Sequence, residues 1–215
     1  MARSTRERSL KTQNWHSPPS LILASASPRR REILSRLGIA FELLVPDVEE
    51  LREGGPPEEL VVENARRKAR AGLERAGGRA MSLGVDTEVV VDGGMLGKAE
   101  DPDIARRYLE LLSARTHEVL SGLVLLGEGE RAGTACSQVT FRRLDERTLE
   151  LYLASEEWRD RAGAYAIQGL GSILVERIEG DLSNVIGLPI RLLLELAPEL
   201  LDTGGRSGPE RWGLI

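Results

Sequence analysis

Apolar positions recur along the chain in two rhythms, short runs or alternations suited to strands and spaced stripes suited to helices. Leu21-Ile22-Leu23-Ala24 is a short apolar run that predicts a buried strand. Ser27-Pro28 follows it with a serine N-cap and a proline at the first helical position, and Ile33, Leu34 and Leu37 form the stripe of that helix. Gly38 is its stop signal. Phe41 to Val45 predicts a second strand, and an acidic, Gly/Pro-rich loop runs from Pro46 to Pro57. Glu58 to Arg75 reads as a basic amphipathic helix. Ser82 to Val91 reads as a strand turned back by Asp92-Gly93-Gly94.

Asp101-Pro102 repeats the cap signal, and Ile104, Leu109, Leu111 and Leu112 supply the stripe behind it. Glu118 to Leu126 and Arg131 to Phe141 form an antiparallel pair across Gly127-Glu128-Gly129-Glu130, and Asp145 caps a helix running through Leu153. Ala164 to Ile178 is Gly-interrupted and β-like, and a helix from Pro189 to Leu201 closes the fold. The polar stretch Met1 to Ser20 is expected to be a disordered leader, and the segment after Thr203 a frayed tail. This order, with its hairpins, predicts an α/β fold around a mixed sheet.

The 215 residues suffice for one domain, and 41% apolar residues can fill its core. Glycine, 23 of 215, clusters at Gly93-Gly94 and Gly169 to Gly171, marking tight turns or backbone close to a ligand. A net charge of −5 argues against a nucleic-acid partner, so phosphate recognition must come from a few placed cations. The lone Cys136 excludes a disulfide framework and reads as a small buried hydrophobe. No signal-peptide run and no membrane-length apolar stretch is present, and a cytoplasmic protein is expected.

Four constellations can carry chemistry. In Ser25-Ala26-Ser27-Pro28-Arg29-Arg30, small residues precede a helix N-terminus whose free N–H groups suit a phosphate. Arg29 and Arg30 sit where cations oppose the helix dipole, which a bound anion would relieve, although a capped helix with solvated arginines is an equal reading. No P-loop lysine follows. Gly84-Val85-Asp86-Thr87 places a carboxylate inside an apolar strand, a costly burial unless it is paired or holds a hard cation; a local turn at a bulge is the alternative. Glu88 reads as solvent-facing. Lys68, eight residues after Leu60, returns near the apolar face of its helix, and Lys98 approaches Asp86 if the hairpin folds in register. Solvated lysines are the commoner outcome. Gln168, between glycines and apolar residues, can read a base edge or bond the backbone of its own strand. His16 and His117 fit no metal spacing, and no G-x-S-x-G supports a serine hydrolase.

Taken in order, Ala24 to Arg30, Gly84 to Thr87, Leu96-Gly97-Lys98, Gly163 to Gly171 and Asn184 to Pro189 resemble the Maf family of nucleoside triphosphate pyrophosphatases. The resemblance spans about residues 21 to 200. It implies one domain (21–202) between leader (1–20) and tail (203–215). The implied fold is an elongated, mixed but largely antiparallel sheet in two lobes with a central cleft, inosine-triphosphatase-like. It implies hydrolysis of a triphosphate to monophosphate and pyrophosphate with a divalent cation, Mg²⁺, Mn²⁺ or Co²⁺.

By the same resemblance Asp86 is a metal ligand or general base. Glu50 is the second acidic residue and metal ligand, with Glu49 the neighbouring register. Lys68 and Lys98 neutralise phosphates, and Ser25, Ser27 and Arg30 line the phosphate end. Arg29, Thr87 and Gln168 match the branch that hydrolyses dTTP and UTP, whose bases present an acceptor–donor–acceptor edge. A different base preference (inosine-type or methylated GTP) and a non-catalytic nucleotide-binding regulator of septum formation are the alternatives. A homodimer is compatible with the resemblance. Ala99 departs from the family's proline after the lysine, a change expected to loosen the hairpin that carries Lys98.

Overall fold

The computed structural model describes residues 21–77 and 80–201. The expected leader and the tail beyond Thr203 lie outside them. Strand β1 (Leu21–Ala24) leads into helix α1 (Pro28–Arg36), which ends at Gly38 with φ +72°. β2 (Phe41–Leu44) follows, then a long loop, then α2 (Pro57–Arg75) and β3 (Met81–Val91). β4 (Gly94–Leu96) folds back on β3, and α3 (Pro102–Leu112) starts where the Asp101 side chain accepts Ile104 N–H. The long hairpin of β5 (Thr116–Leu126) and β6 (Glu130–Phe141) precedes α4 (Glu146–Ala154), whose N-cap Asp145 accepts Thr148 N–H. A 3₁₀ helix (Gly169–Leu174), β7 (Val175–Glu179), α5 (Leu182–Ile186) and α6 (Ile190–Leu196) complete the chain, with a last 3₁₀ turn at Pro198–Leu201.

One seven-stranded sheet runs in the order β2-β1-β3-β5-β6-β7, with β4 also on β3. β1 is parallel to β2 and β3, and every other pairing is antiparallel. Strand alternation sorts β3 into two faces. Met81, Leu83 and Val85 join one core with Leu34 of α1 and Leu193 of α6. Val89 and Val91, on the same face, join a second core with Leu109 of α3 and Tyr152 of α4. β5 is divided likewise, Leu123 and Leu125 in the first core and Val119 in the second. These are the two lobes, and the strands run continuously through both.

α2 lies across the other face. A Cβ on Gly84 would run into the Ala65 carbonyl, and one on Gly122 into that of Val61, so both glycines permit the helix to sit directly on the sheet.

The cleft follows from register. On one edge of β3, residues 81–84 pair with β1 and 89–91 with β4, leaving 85–88 without a neighbour there. Their other edge is filled by β5, from Val85↔Leu123 to Glu88↔Leu120. A notch is thus cut into the sheet where the two cores part.

Four expectations change. The segment 164–178 is strand only from Val175; before it, Ala164 and Gly169 take positive φ and the chain coils into a 3₁₀ helix. The closing helix is broken into α6 and a 3₁₀ turn at Ala197. Leu111 is exposed on α3. Cys136 is exposed as well, because β6 turns Ala132, Thr134, Cys136 and Gln138 to solvent. No helix among the described residues is long and apolar enough to cross a membrane.

Candidate active site

The notch opens into a cleft of about 1180 Å³ lined by Ser25 to Arg30, Val48 to Glu53, Lys68, Asp86 to Val89, Lys98, Arg159 to Ala162, Tyr165 to Gln168 and Val185 to Gly187. Every site residue expected from the sequence is among them.

Its floor is a charge cluster built on a buried pair and half-buried Glu50. Asp86, in the middle of β3, is 3% exposed and Lys68 of α2 is 7% exposed. Lys68 Nζ bonds Asp86 Oδ1 at 2.5 Å and Glu50 Oε1 at 2.6 Å. Asn64, one turn before Lys68, donates Nδ2–H to Asp86 Oδ2 (3.0 Å) and to Leu51 O (2.9 Å) and accepts Leu51 N–H at 2.7 Å. It pins the loop beside Glu50, the reason Glu50 and not Glu49 enters the cluster. Burial pushes the Glu50 carboxyl up, but the Lys68 charge and hydrogen bond, with Lys98 and Arg30, hold it below the usual range. The partner of Asp86 is therefore Lys68, not Lys98. Lys98 is exposed on the cleft wall, and the hairpin end that carries it is held despite Ala99 by an antiparallel bridge to Ala162.

Glu88 is the correction at this site. It is buried, not solvent-facing, because it shares a strand face with Asp86 two residues away. Its Oε2 has no hydrogen-bond partner, and burial followed by the Asp86 and Glu50 charges pushes its pKa up to about 8. No group of three or more His, Cys, Asp or Glu side chains in metal-holding geometry occurs among the described residues. An all-oxygen donor set with an orphaned buried carboxylate oxygen nevertheless fits a hard divalent cation of the kind completed by substrate phosphates.

The opposite wall is the start of α1. Ser27 is its N-cap by position, yet its hydroxyl makes no cap bond, and no acid lies in the first turn. Ser27 N–H turns instead to Ser25 Oγ at 3.1 Å. The positive end of α1 is thus left open to an anion. Arg30 is a brace: Nε donates to Gly187 O (2.8 Å), Nη1 to Val85 O (2.8 Å) and Ser25 Oγ (3.2 Å), and Nη2 to Thr87 Oγ1 (3.0 Å). It fills the unpaired edge of β3. Arg29 donates Nε–H to Ile186 O at 3.2 Å and keeps a buried Nη1 without a partner.

Gln168 is exposed at the rim, not bonded within a strand, and is the N-cap residue of the 3₁₀ helix. Glu157 sets its position by accepting Leu170 N–H and Gly171 N–H, both at 3.1 Å. Behind it, His117 Nε2 and Tyr165 Oη are 2.9 Å apart, buried against Phe141. Asn64, Glu157 and Arg161 went unread in the sequence. An asparagine one turn from Lys68 on the apolar face was the only local signal for the first.

The family model described as Maf-like protein matches residues 20–200. A dTTP/UTP pyrophosphatase of Thermococcus gammatolerans is 48% identical over 177 residues, covering 82% of this chain and 94% of that protein. A dTTP/UTP pyrophosphatase of Methylococcus capsulatus is 46% identical over 186 residues, covering 86% and 91%. Among solved structures, a HAM1 protein from Coxiella burnetii overlays with a TM-score of 0.44 at 20% identity, covering 59% of this chain and 75% of that one. With its five sequence motifs gathered around one cleft and relatives aligned along four fifths of its length, the chain belongs to the Maf family.

Proposed function

We propose that this protein hydrolyses dTTP and UTP to the nucleoside monophosphate and pyrophosphate in the cytoplasm. The observation that carries the reading is the buried Asp86–Lys68 pair with half-buried Glu50 on it, in a nucleotide-sized cleft that the uncapped start of α1 also lines. A carboxylate at the cleft floor can serve as a base for water, and the cations of the cleft offset negative charge on phosphates.

Water attacks the α-phosphorus: a new P–O bond forms, the α–β anhydride bond breaks, and pyrophosphate leaves with the electron pair. Asp86 accepts the water proton and passes it to solvent. Lys68 orients Asp86, while Ser25, Ser27, Lys98 and the first turn of α1 hold phosphate oxygens. Arg30 keeps that turn against β3. Asp86 and Glu50 would hold Mg²⁺, Mn²⁺ or Co²⁺ together with the phosphates; such a cation lowers the pKa of the attacking water and polarises the phosphoryl oxygens. Gln168 reads the base edge, and Arg29 and Thr87 shape the approach to it.

A panel of triphosphates with each of the three cations, followed by pyrophosphate release, tests this. dTTP and UTP should turn over fastest. Faster turnover of ITP or a methylated GTP would overturn the base assignment, and salt-sensitive DNA binding without hydrolysis would overturn the enzymatic reading.

A further inference from the structure

Arg161 lies in the link between α4 and the 3₁₀ helix, where the chain is tied to the end of the β3–β4 hairpin. Ala162 bridges Lys98, and Gly163 N–H donates to Leu96 O at 2.7 Å and to Gly97 O at 3.1 Å. A Cβ on Gly163 would meet Val89 at 2.8 Å, so this approach is tight. The main chain therefore fixes Arg161 beside Lys98, and both side chains line the cleft.

Arg161 Nε is buried and has no hydrogen-bond partner. Burial pulls its guanidinium below the ordinary value, and no acid offsets that pull. Three other cations of the cleft are engaged, Lys68 by two carboxylates, Arg30 by four acceptors and Arg159 by Glu156 at 2.8 Å, whereas Arg29 has Ile186 O for its Nε and leaves Nη1 without a partner. A half-buried guanidinium without a counter-charge, in a cleft whose wall also carries Lys98, is an arrangement that an incoming anion completes. Its planar fork of donors matches phosphate oxygens.

We propose that Arg161 is a substrate-binding residue that works with Lys98 as a two-cation clamp on the β- and γ-phosphates of the triphosphate. It shares the cleft with the α1 terminus and retains the part of the substrate that departs as pyrophosphate. The terminal phosphates carry most of the substrate charge, which suits them to the paired cations. This assignment rests on the pyrophosphatase reading.

The test is calorimetric binding of inorganic pyrophosphate and of UMP to the wild-type protein, Arg161→Gln and Arg161→Lys. Pyrophosphate affinity should fall roughly tenfold or more in Arg161→Gln and be partly restored in Arg161→Lys, with UMP affinity unchanged. In turnover, KM for UTP should rise more than kcat falls. A wild-type protein that binds no pyrophosphate, an Arg161→Gln variant that binds it as well as wild type, or equal losses of pyrophosphate and UMP would each overturn the clamp. If Arg161→Gln fails to fold, Arg161→Lys carries the comparison, because loss of the fork alone should still weaken pyrophosphate selectively. Wild type that turns over dTTP and UTP while Arg161→Gln retains pyrophosphate would leave the reaction standing and remove only this residue. Wild type that releases no pyrophosphate from either nucleotide removes the reaction itself.

Discussion

Lys68 Nζ lies 2.5 Å from Asp86 Oδ1, and both side chains are withdrawn from solvent. Removing the cation strands the two carboxylates that it bonds, Asp86 and Glu50, beside Glu88, whose own pKa is already pushed up to about 8. Lys68→Met should therefore cost about 3–5 kcal/mol of stability at neutral pH, as expected for a buried charge left unpaired. Asp86→Asn leaves Lys68 with Glu50, so it should fold and lose activity by about 10²–10⁴-fold. Urea denaturation of both variants, with steady-state rates for the second, checks the pair; equal destabilisation would contradict it.

Gly84 and Gly122 set the distance between α2 and the sheet. Alanine at either position should cost about 1–3 kcal/mol through overpacking and lower activity by displacing Lys68. Gly129→Ala, where a Cβ meets nothing within 4 Å, is the neutral control. Urea midpoints of the three variants separate a packing effect from a general intolerance of alanine.

Glu157 holds Gln168 indirectly, through the two N–H groups that follow Gly169. An amide accepts at only one of those positions. Glu157→Gln should reduce discrimination between UTP and CTP several-fold, with kcat for UTP changing less than KM. Unchanged discrimination alongside lost stability would make Glu157 structural only.

His117 is buried and uncharged, its pKa pulled down to about 4 by burial. The unfolded chain protonates it near 6.5, so its contribution to stability is complete above that pH and is lost as pH falls from 6.5 through 4. The melting-temperature gap between wild type and His117→Gln should narrow across that window. Parallel profiles would refute the assignment.

Arg29 is half-buried and tied to the fold by one main-chain acceptor, Ile186 O. Arg29→Trp should shift base preference more than it lowers stability. A variant that keeps the dTTP/UTP preference in the triphosphate panel would show that Arg29 does not choose the substrate.

What was legible in the chain is what depends on neighbours in sequence. The alternation of β3, the hairpins, the caps at Asp101 and Asp145 and the stop at Gly38 all follow from short-range rules. Asp86 also stood out, because a carboxylate in an apolar strand demands a partner. What was missed depends on distant contacts. Segment 164–178 coils where Glu157 supplies the two acceptors from outside it. Glu88 looked solvent-facing until α2 and the loop of Glu50 closed over its strand. Asn64 matters through Leu51, and Arg161 through Lys98, neither adjacent in sequence. Cys136 was misread because its burial depends on which face of β6 is covered.

The notch in β3 has a mechanical consequence. Because β3 and β5 pass unbroken from one core to the other, the two lobes are not connected by a linker that could swing. The cleft behaves as a slot milled into a single beam. Continuous strands under both cores concentrate the freedom to adjust to a nucleotide in the segments that line the cleft from outside the sheet, the Glu50 loop and the Arg161 link.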